Sequence, residues 1–415
     1  MTDTITIQKP STKKIQGEIT LNGSKSISNR LLIINAICGN INFSNLSNAD
    51  DTVFLQNILK SNDSILDAGA GGTTFRFLTA FLAIQDGREA ILTGSERMQQ
   101  RPIKVLVDAL QQLGADISYE KNKDYPPLKI KGKKLRGGKI TLPADISSQY
   151  ITALLLIAPT LEQGLEIQLK GTIVSIPYIE MTLKMMEYFG IKTDFSIEQK
   201  YIKVEHGNYV PKDFFVESDW SAASYFYSIA ILAEDADITL HGLTAQQIQG
   251  DAVIAKIAND FGIQSTFADN AVRLQKTATP KNEYYKYDFL RCPDLAQTVV
   301  SFCAGLCVDA TFHGLQTLRI KETDRIQALD NELFNLGLSN LEEIDSNTWE
   351  LQNCMPQVYN DYDIKTYEDH RMAMSFAPLS IVTNQIKIEE RNVVSKSYPN
   401  FWNDLEKLGF KIINI

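Results

Sequence analysis

The chain has no apolar stretch long enough to span a bilayer, and its first 23 residues lack the apolar core of a secretory leader. A cytoplasmic protein without a membrane partner is therefore expected. It also lacks a basic excess: 41 Lys and Arg stand against 50 Asp and Glu, for a net charge of −9 over 415 residues. That balance argues against a broad phosphate-backbone surface, so nucleic acid is not an expected partner, although a local cationic pocket remains open. Cysteine is sparse. Cys38, Cys292, Cys303, Cys307 and Cys354 show neither paired disulfide spacing nor CxxC spacing. Cys303 and Cys307 lie four apart on an expected helix and, without nearby His ligands, read as two buried thiols rather than a metal pair. Low-complexity tracts and long like-charge blocks are missing as well. With 44% hydrophobic and 22% charged residues, the composition is that of a chain folded throughout, long enough for two domains of roughly 200 residues.

What the sequence does contain is a repeat. Amphipathic helical patterns end in Leu-Gly or Phe-Gly at Gly114, Gly190, Gly262, Gly337 and Gly409, spaced 76, 72, 75 and 72 residues apart. Each glycine suits a helix stop, where the left-handed conformation is needed. A second series, a polar turn opening an apolar helix, begins near Ser26, Thr73, Ser147, Asp219, Asp294 and Asp369, with the last four intervals 74, 72, 75 and 75. Six related α/β units, three per domain, are expected, with a crossing near Glu217 to Asp219. The first unit is shorter or irregular, because its terminal glycine is replaced around Ser61 and Asn62.

The helix starts carry the chemistry. Gly23-Ser24-Lys25-Ser26-Ile27-Ser28-Asn29-Arg30 joins an alternating strand pattern to an apolar helix. Free N–H groups, the helix dipole and the Lys25 ammonium would make an anion site there. The glycine order is not that of a Walker A loop, so ATP is not implied. Gly69-Ala70-Gly71-Gly72-Thr73-Thr74-Phe75-Arg76 repeats the grammar, without the GxGxxG order of a dinucleotide fold. Arg97 and Arg101-Pro102 follow, then Ser147-Ser148-Gln149 and Ser175 with Tyr178 at two further helix starts. In the last third, Asp294, Lys321-Glu322-Thr323-Asp324-Arg325, Asp369-His370-Arg371 and Lys396 gather acids and cations. Taken singly, each of these reads equally well as a capped helix or a solvated charge.

Together, Gly23-Ser24-Lys25-Ser26 with Asn29-Arg30, Arg101-Pro102, Ser147-Ser148-Gln149, Lys321 to Arg325 and Asp369-His370-Arg371-Met372-Ala373 closely resemble the motifs of the 3-phosphoshikimate 1-carboxyvinyltransferase (EPSP synthase) family, over nearly the whole chain. The resemblance implies a two-domain α/β enolpyruvyl transferase-like fold of six βαβαββ units, three per domain, with the active site in the interdomain cleft. Residues 1–20 would join 219–415 in one domain, and 21–218 would form the other. It implies transfer of the enolpyruvyl group of phosphoenolpyruvate to the 5-hydroxyl of shikimate 3-phosphate, with release of phosphate, by a monomer needing no metal or organic cofactor. By resemblance, Lys25, Ser26, Arg30, Ser147, Ser148, Gln149, Ser175, Asp294 and Lys321 would hold shikimate 3-phosphate. Lys25, Gly72, Arg101, Gln149, Arg325, Arg371 and Lys396 would hold phosphoenolpyruvate. Asp294, Glu322, Lys25 and Lys321 are the expected catalytic groups, Asp294 accepting the hydroxyl proton and Glu322, with Lys321, handling the carbon-bound proton. Ala70 and Thr317 depart from the Asn that many and some members, respectively, carry there.

Two other readings stand beside this one. The sister family that transfers enolpyruvate to UDP-N-acetylglucosamine typically uses a loop cysteine, and no cysteine occurs between Cys38 and Cys292. A catalytically silent anion-binding protein on the same scaffold would not need Asp294, Glu322 and Arg371.

Overall fold

The five helix-stop glycines take the conformation their positions require. In the computed structural model, which describes residues 3–144, 147–245, 248–278, 284–352 and 362–415, Gly114, Gly190, Gly262, Gly337 and Gly409 have φ between 69° and 101°. They follow the helices Lys104–Gln112, Ile176–Tyr188, Ile254–Asp260, Arg325–Asn335 and Phe401–Lys407. At Gly114 the glycine N–H returns to the Gln111 carbonyl and the next N–H, of Ala115, to Leu110, both at 2.9 Å. The same pair of bonds forms at Gly190, Gly337 and Gly409. This closure satisfies carbonyls that the last turn would otherwise leave open.

By its contacts the chain divides into two compact units, residues 1–22 with 217–415, and residues 23–216. In the 23–216 unit, strand Ile65–Asp67, helix Gly72–Ala83, strand Glu89–Thr93, helix Lys104–Gln112 and strands Asp116–Tyr119 and Leu128–Lys131 make one βαβαββ module. Its first two strands are parallel, the other pairs antiparallel, and the sheet order is first, second, fourth, third. Gly138–Pro143, Leu165–Lys170, Thr193–Ser196 and Tyr201–Val204 repeat that order around the helices Ser148–Ile157 and Ile176–Tyr188. The third module is reduced. Helices Lys25–Cys38 and Asp50–Lys60 accompany only a parallel pair of two-residue strands, Phe43–Ser44 with Phe214–Phe215, the counterpart of the irregular first repeat.

In the other unit, Tyr284–Asp288, Asp309–His313, Asn340–Asp345 and Thr348–Gln352 form the same sheet from one continuous segment. The two remaining sheets draw on the N-terminal residues. Strand Lys14–Thr20, which buries Ile15 and Ile19, serves as the first strand beside Asp235–His241, in a sheet completed by Ala271–Lys276 and Ile263–Ala268. Strand Ile5–Gln8 takes the fourth-strand place between Gln385–Ile388 and Lys411–Asn414, with Asp363–Ile364 at the edge. Each covered sheet face needs apolar partners, and the helices supply them.

Three interior helices pack against one another in each unit: Lys25–Cys38, Gly72–Ala83 and Ser148–Ile157 in one, and Trp220–Leu232, Ala296–Gly305 and His370–Phe376 in the other. They are apolar around most of their circumference, which is the pattern of buried helices. All of Gly72–Ala83 but Thr73 is buried, and all of Trp220–Leu232 but Ser221. None of the helices among the described residues is long and apolar enough to cross a membrane. The helix expected to carry both Cys303 and Cys307 stops at Gly305. Cys303, Cys38 and Cys292 are free thiols, but Cys307 is disulfide-bonded, which corrects the reading of two buried thiols; spacing along the chain does not report pairing across a fold. Cys354 lies outside the described residues.

Candidate active site

The starts of the interior helices carry many of the motif residues. In the 23–216 unit, helix Lys25–Cys38 opens on Lys25, whose Nζ lies 3.3 Å from Asp51 Oδ2, with the two side chains 18% and 15% exposed. Asp51 lies in the first turn of helix Asp50–Lys60, and its carbonyl accepts a 2.8 Å hydrogen bond from Thr74 Oγ1. That bond ties the first helix pair to the glycine-rich start of Gly72–Ala83. A Cβ placed on Gly72 would lie 2.6 Å from Arg76 Nη1 and 2.7 Å from Arg101 Nη1. Glycine there leaves room for two guanidinium groups against a helix N-terminus, a strongly anion-favouring arrangement. Gln149 fixes one of them, accepting from Arg76 Nη1 at 2.7 Å while its amide donates to Thr73 Oγ1 at 2.9 Å. The Arg76 guanidinium also lies 4.9 Å from the centre of the Tyr150 ring, within cation–π range. Ser147 caps the helix that Ser148 begins, accepting from the Gln149 N–H.

Two expected ligand residues of this unit sit differently. Arg30 is almost wholly buried, donating to Thr182 Oγ1 (2.8 Å), Thr152 Oγ1 (3.3 Å) and the carbonyls of Ser26 (2.8 Å) and Tyr178 (3.2 Å). Burial lowers its pKa to about 10, with Tyr178 acting in the opposite sense. It ties the Ser26 helix turn to two neighbouring helices. Ser175 occupies the left-handed region, φ 55°, and its side chain does not cap the helix it precedes.

In the other unit the acids and cations interlock. Asp294 Oδ1 lies 3.3 Å from Arg325 Nη1 and 3.8 Å from Lys321 Nζ, while its Oδ2 lies 3.1 Å from Arg371 Nη2. Arg325, at 2% side-chain exposure, is held by Asp369 at 2.6 Å and Glu322 at 2.7 Å. Burial alone would lower its pKa, but Asp369 and Glu322 outweigh it and the net shift is upward. Lys321 moves the other way: burial lowers its pKa despite Asp294. Asp369 also caps helix His370–Phe376, accepting the Arg371 N–H at 2.8 Å. His370 is buried, with Nδ1 3.8 Å from Asp369 Oδ1. Lys396 donates from Nζ to the Glu368 carbonyl at 2.7 Å.

The sequence motifs did not single out Asp51, nor Asp251. Asp251 is buried and bonded to Ser221 Oγ, whose oxygen also receives Arg371 Nη2 at 3.4 Å. Burial and then Asp294 raise its pKa to about 7, against Arg371. Asp51 had one legible sign, the acidic pair at a helix start; Asp251 had none. In the 23–216 unit, then, cations and hydroxyls gather at helix starts, and in the other unit cations cluster around carboxylates able to take up a proton, which together suit multiply anionic substrates and acid–base chemistry.

Comparison with known proteins sharpens that reading. A family model described as EPSP synthase (3-phosphoshikimate 1-carboxyvinyltransferase) matches residues 51–405. The 3-phosphoshikimate 1-carboxyvinyltransferase of Bacteroides fragilis is 48% identical over 401 residues, spanning 96% of this chain and 97% of that protein. Its namesake from Colwellia psychrerythraea is 35% identical over 425 residues, spanning 95% and 97%. Among solved structures, an EPSP synthase from Acinetobacter baumannii superposes with a TM-score of 0.77 at 20% identity, covering 99% of this chain and 100% of that one, a likeness of fold.

Proposed function

The chain belongs to the EPSP synthase (3-phosphoshikimate 1-carboxyvinyltransferase) family, and from that premise we propose how its residues divide the work. The reaction moves the enolpyruvyl group of phosphoenolpyruvate to the 5-hydroxyl of shikimate 3-phosphate and releases phosphate, by addition and elimination, in the shikimate pathway. Lys25, Ser26, Arg30, Ser147, Ser148, Gln149, Ser175, Asp294 and Lys321 hold shikimate 3-phosphate. Lys25, Gly72, Arg101, Gln149, Arg325, Arg371 and Lys396 hold phosphoenolpyruvate. Support comes from the space at Gly72, which two guanidiniums border, and from the cation cluster at Asp294.

Addition needs a proton delivered to the methylene carbon as the hydroxyl oxygen attacks C2. Elimination needs a methyl proton removed as phosphate departs. Asp294 takes the hydroxyl proton. Glu322, with Lys321, gives and recovers the carbon-bound proton. The observation that supports this division is geometric: Asp294 and Glu322 both reach the Arg325 guanidinium, at 3.3 and 2.7 Å, and the Lys321 ammonium lies 3.8 Å from Asp294, so two acids and an amine stand together at one site. Lys25 stabilises charge on the reacting phosphoenolpyruvate. The guanidiniums balance carboxylate and phosphate charge as it redistributes.

A phosphate-release assay tests the reading: phosphoenolpyruvate with shikimate 3-phosphate is expected to release phosphate, and phosphoenolpyruvate with UDP-N-acetylglucosamine is not. Variants divide the roles. Glu322→Gln is expected to slow exchange of solvent deuterium into the methyl group more than it weakens binding; equal loss of both would remove Glu322 from the proton step.

A further inference from the structure

We propose that Glu390 is a positioning residue for the phosphoenolpyruvate-binding groups, acting through the bend that precedes Asp369-His370-Arg371. Tyr367 and Glu368 both have φ 55°, two consecutive left-handed residues with side chains, a conformation that persists only where surrounding contacts impose it. Two carboxylates supply those contacts. Glu390 Oε2 accepts from Thr366 Oγ1 and, at 3.2 Å, from the Glu368 N–H, so it grips the bend on both sides of Tyr367. From the opposite side Glu332 accepts the Lys365 N–H at 3.1 Å and the Tyr367 hydroxyl at 2.6 Å.

The geometry closes a ring. Glu390, itself left-handed at φ 52°, begins the short helical turn Arg391–Lys396. Lys396 at the end of that turn returns its ammonium to the Glu368 carbonyl, the same peptide residue whose N–H Glu390 holds. On the other side of the bend, Asp369 fixes the Arg371 backbone and the Arg325 guanidinium. Glu390 therefore joins the segments that carry Arg325, Arg371 and Lys396 through the Glu368 peptide. It accepts hydrogen bonds from Thr366 and Glu368, so it acts on those cations through the bend. Such placement matters because small displacements of binding groups cost rate or affinity steeply.

The proposal rests on the assignment of those three cations to phosphoenolpyruvate, and the experiment separates the two. Arg371→Lys, which removes the paired donors of one of the three cations, tests the assignment through KM for phosphoenolpyruvate; hydrogen exchange across residues 366–371 tests the grip without turnover. Glu390→Ala is expected to raise KM for phosphoenolpyruvate about tenfold, the loss of roughly one good charge-assisted hydrogen bond, with KM for shikimate 3-phosphate changed less than about twofold and faster exchange at 366–371. Glu390→Gln, whose amide oxygen accepts both bonds, restores both readouts. Thr366→Val, which deletes one donor at near-constant volume, raises the same KM severalfold even if the alanine variant does not fold. Unchanged KM for phosphoenolpyruvate in Thr366→Val or Glu390→Ala, or a glutamine variant as impaired as the alanine one, overturns the proposal.

Discussion

Asp294 is the carboxylate on which Lys321, Arg325 and Arg371 converge, and Asn keeps its shape while removing its basicity. Asp294→Asn is expected to lower kcat by about 10²- to 10⁴-fold, with shikimate 3-phosphate binding, followed by titration calorimetry, changed less than about tenfold. Near-normal turnover would take Asp294 out of the proton path. Asp251 offers a test on stability. Its native pKa, about 7, lies above the ordinary 3.8, so between those values the folded state binds more protons than the unfolded one. Stability from this group is therefore fullest below about pH 4 and is lost as pH rises through 7. Relative to Asp251→Asn, the wild type is expected to lose on the order of 1 kcal/mol or more across that window, measured by urea unfolding at stepped pH; parallel curves would contradict it. These two acids also mark how far the sequence could be read. Asp294 sits at a repeated helix start and among the site residues that the family resemblance implies. Asp251 belongs to neither, and it becomes part of the cluster only because the turn 250–253 lays it against Ser221.

At the scale of the element, the repeat was legible because helix stops have strict backbone demands: all five predicted glycines are left-handed. Gly114 isolates that demand, since a Cβ there meets nothing within 4 Å. Gly114→Ala is expected to cost about 1 kcal/mol through the backbone alone, seen as a lower urea midpoint; an unchanged midpoint would mean the closure at Leu110 and Gln111 carries no weight. The short strands were less legible. Phe43–Ser44 and Phe214–Phe215 are too brief for any period-two pattern, and the bend at Tyr367 and Glu368 violates local preference because Glu332 and Glu390 impose it. Sequence patterns report what a segment prefers by itself, so contacts made far along the chain escape them.

Across the whole molecule, the N-terminal residues are structural parts of the unit formed with residues 217–415. Ile5 and Ile7 are fully buried in a strand paired on both sides. Deleting residues 1–10 is expected to remove about 3–6 kcal/mol of apolar burial from that unit and to lower its melting transition in calorimetry by many degrees; an unshifted transition would show the strand to be dispensable. The same fold gathers cations and hydroxyls at helix starts in each unit, beside Asp51 in one and Asp294 in the other. The most direct test is phosphate release by the purified chain. With phosphoenolpyruvate and shikimate 3-phosphate together it should release phosphate stoichiometrically with a new enol ether, and with either substrate alone, or with UDP-N-acetylglucosamine as acceptor, it should not. Folded protein that is silent with shikimate 3-phosphate, or that turns over only with the nucleotide sugar, would contradict the account.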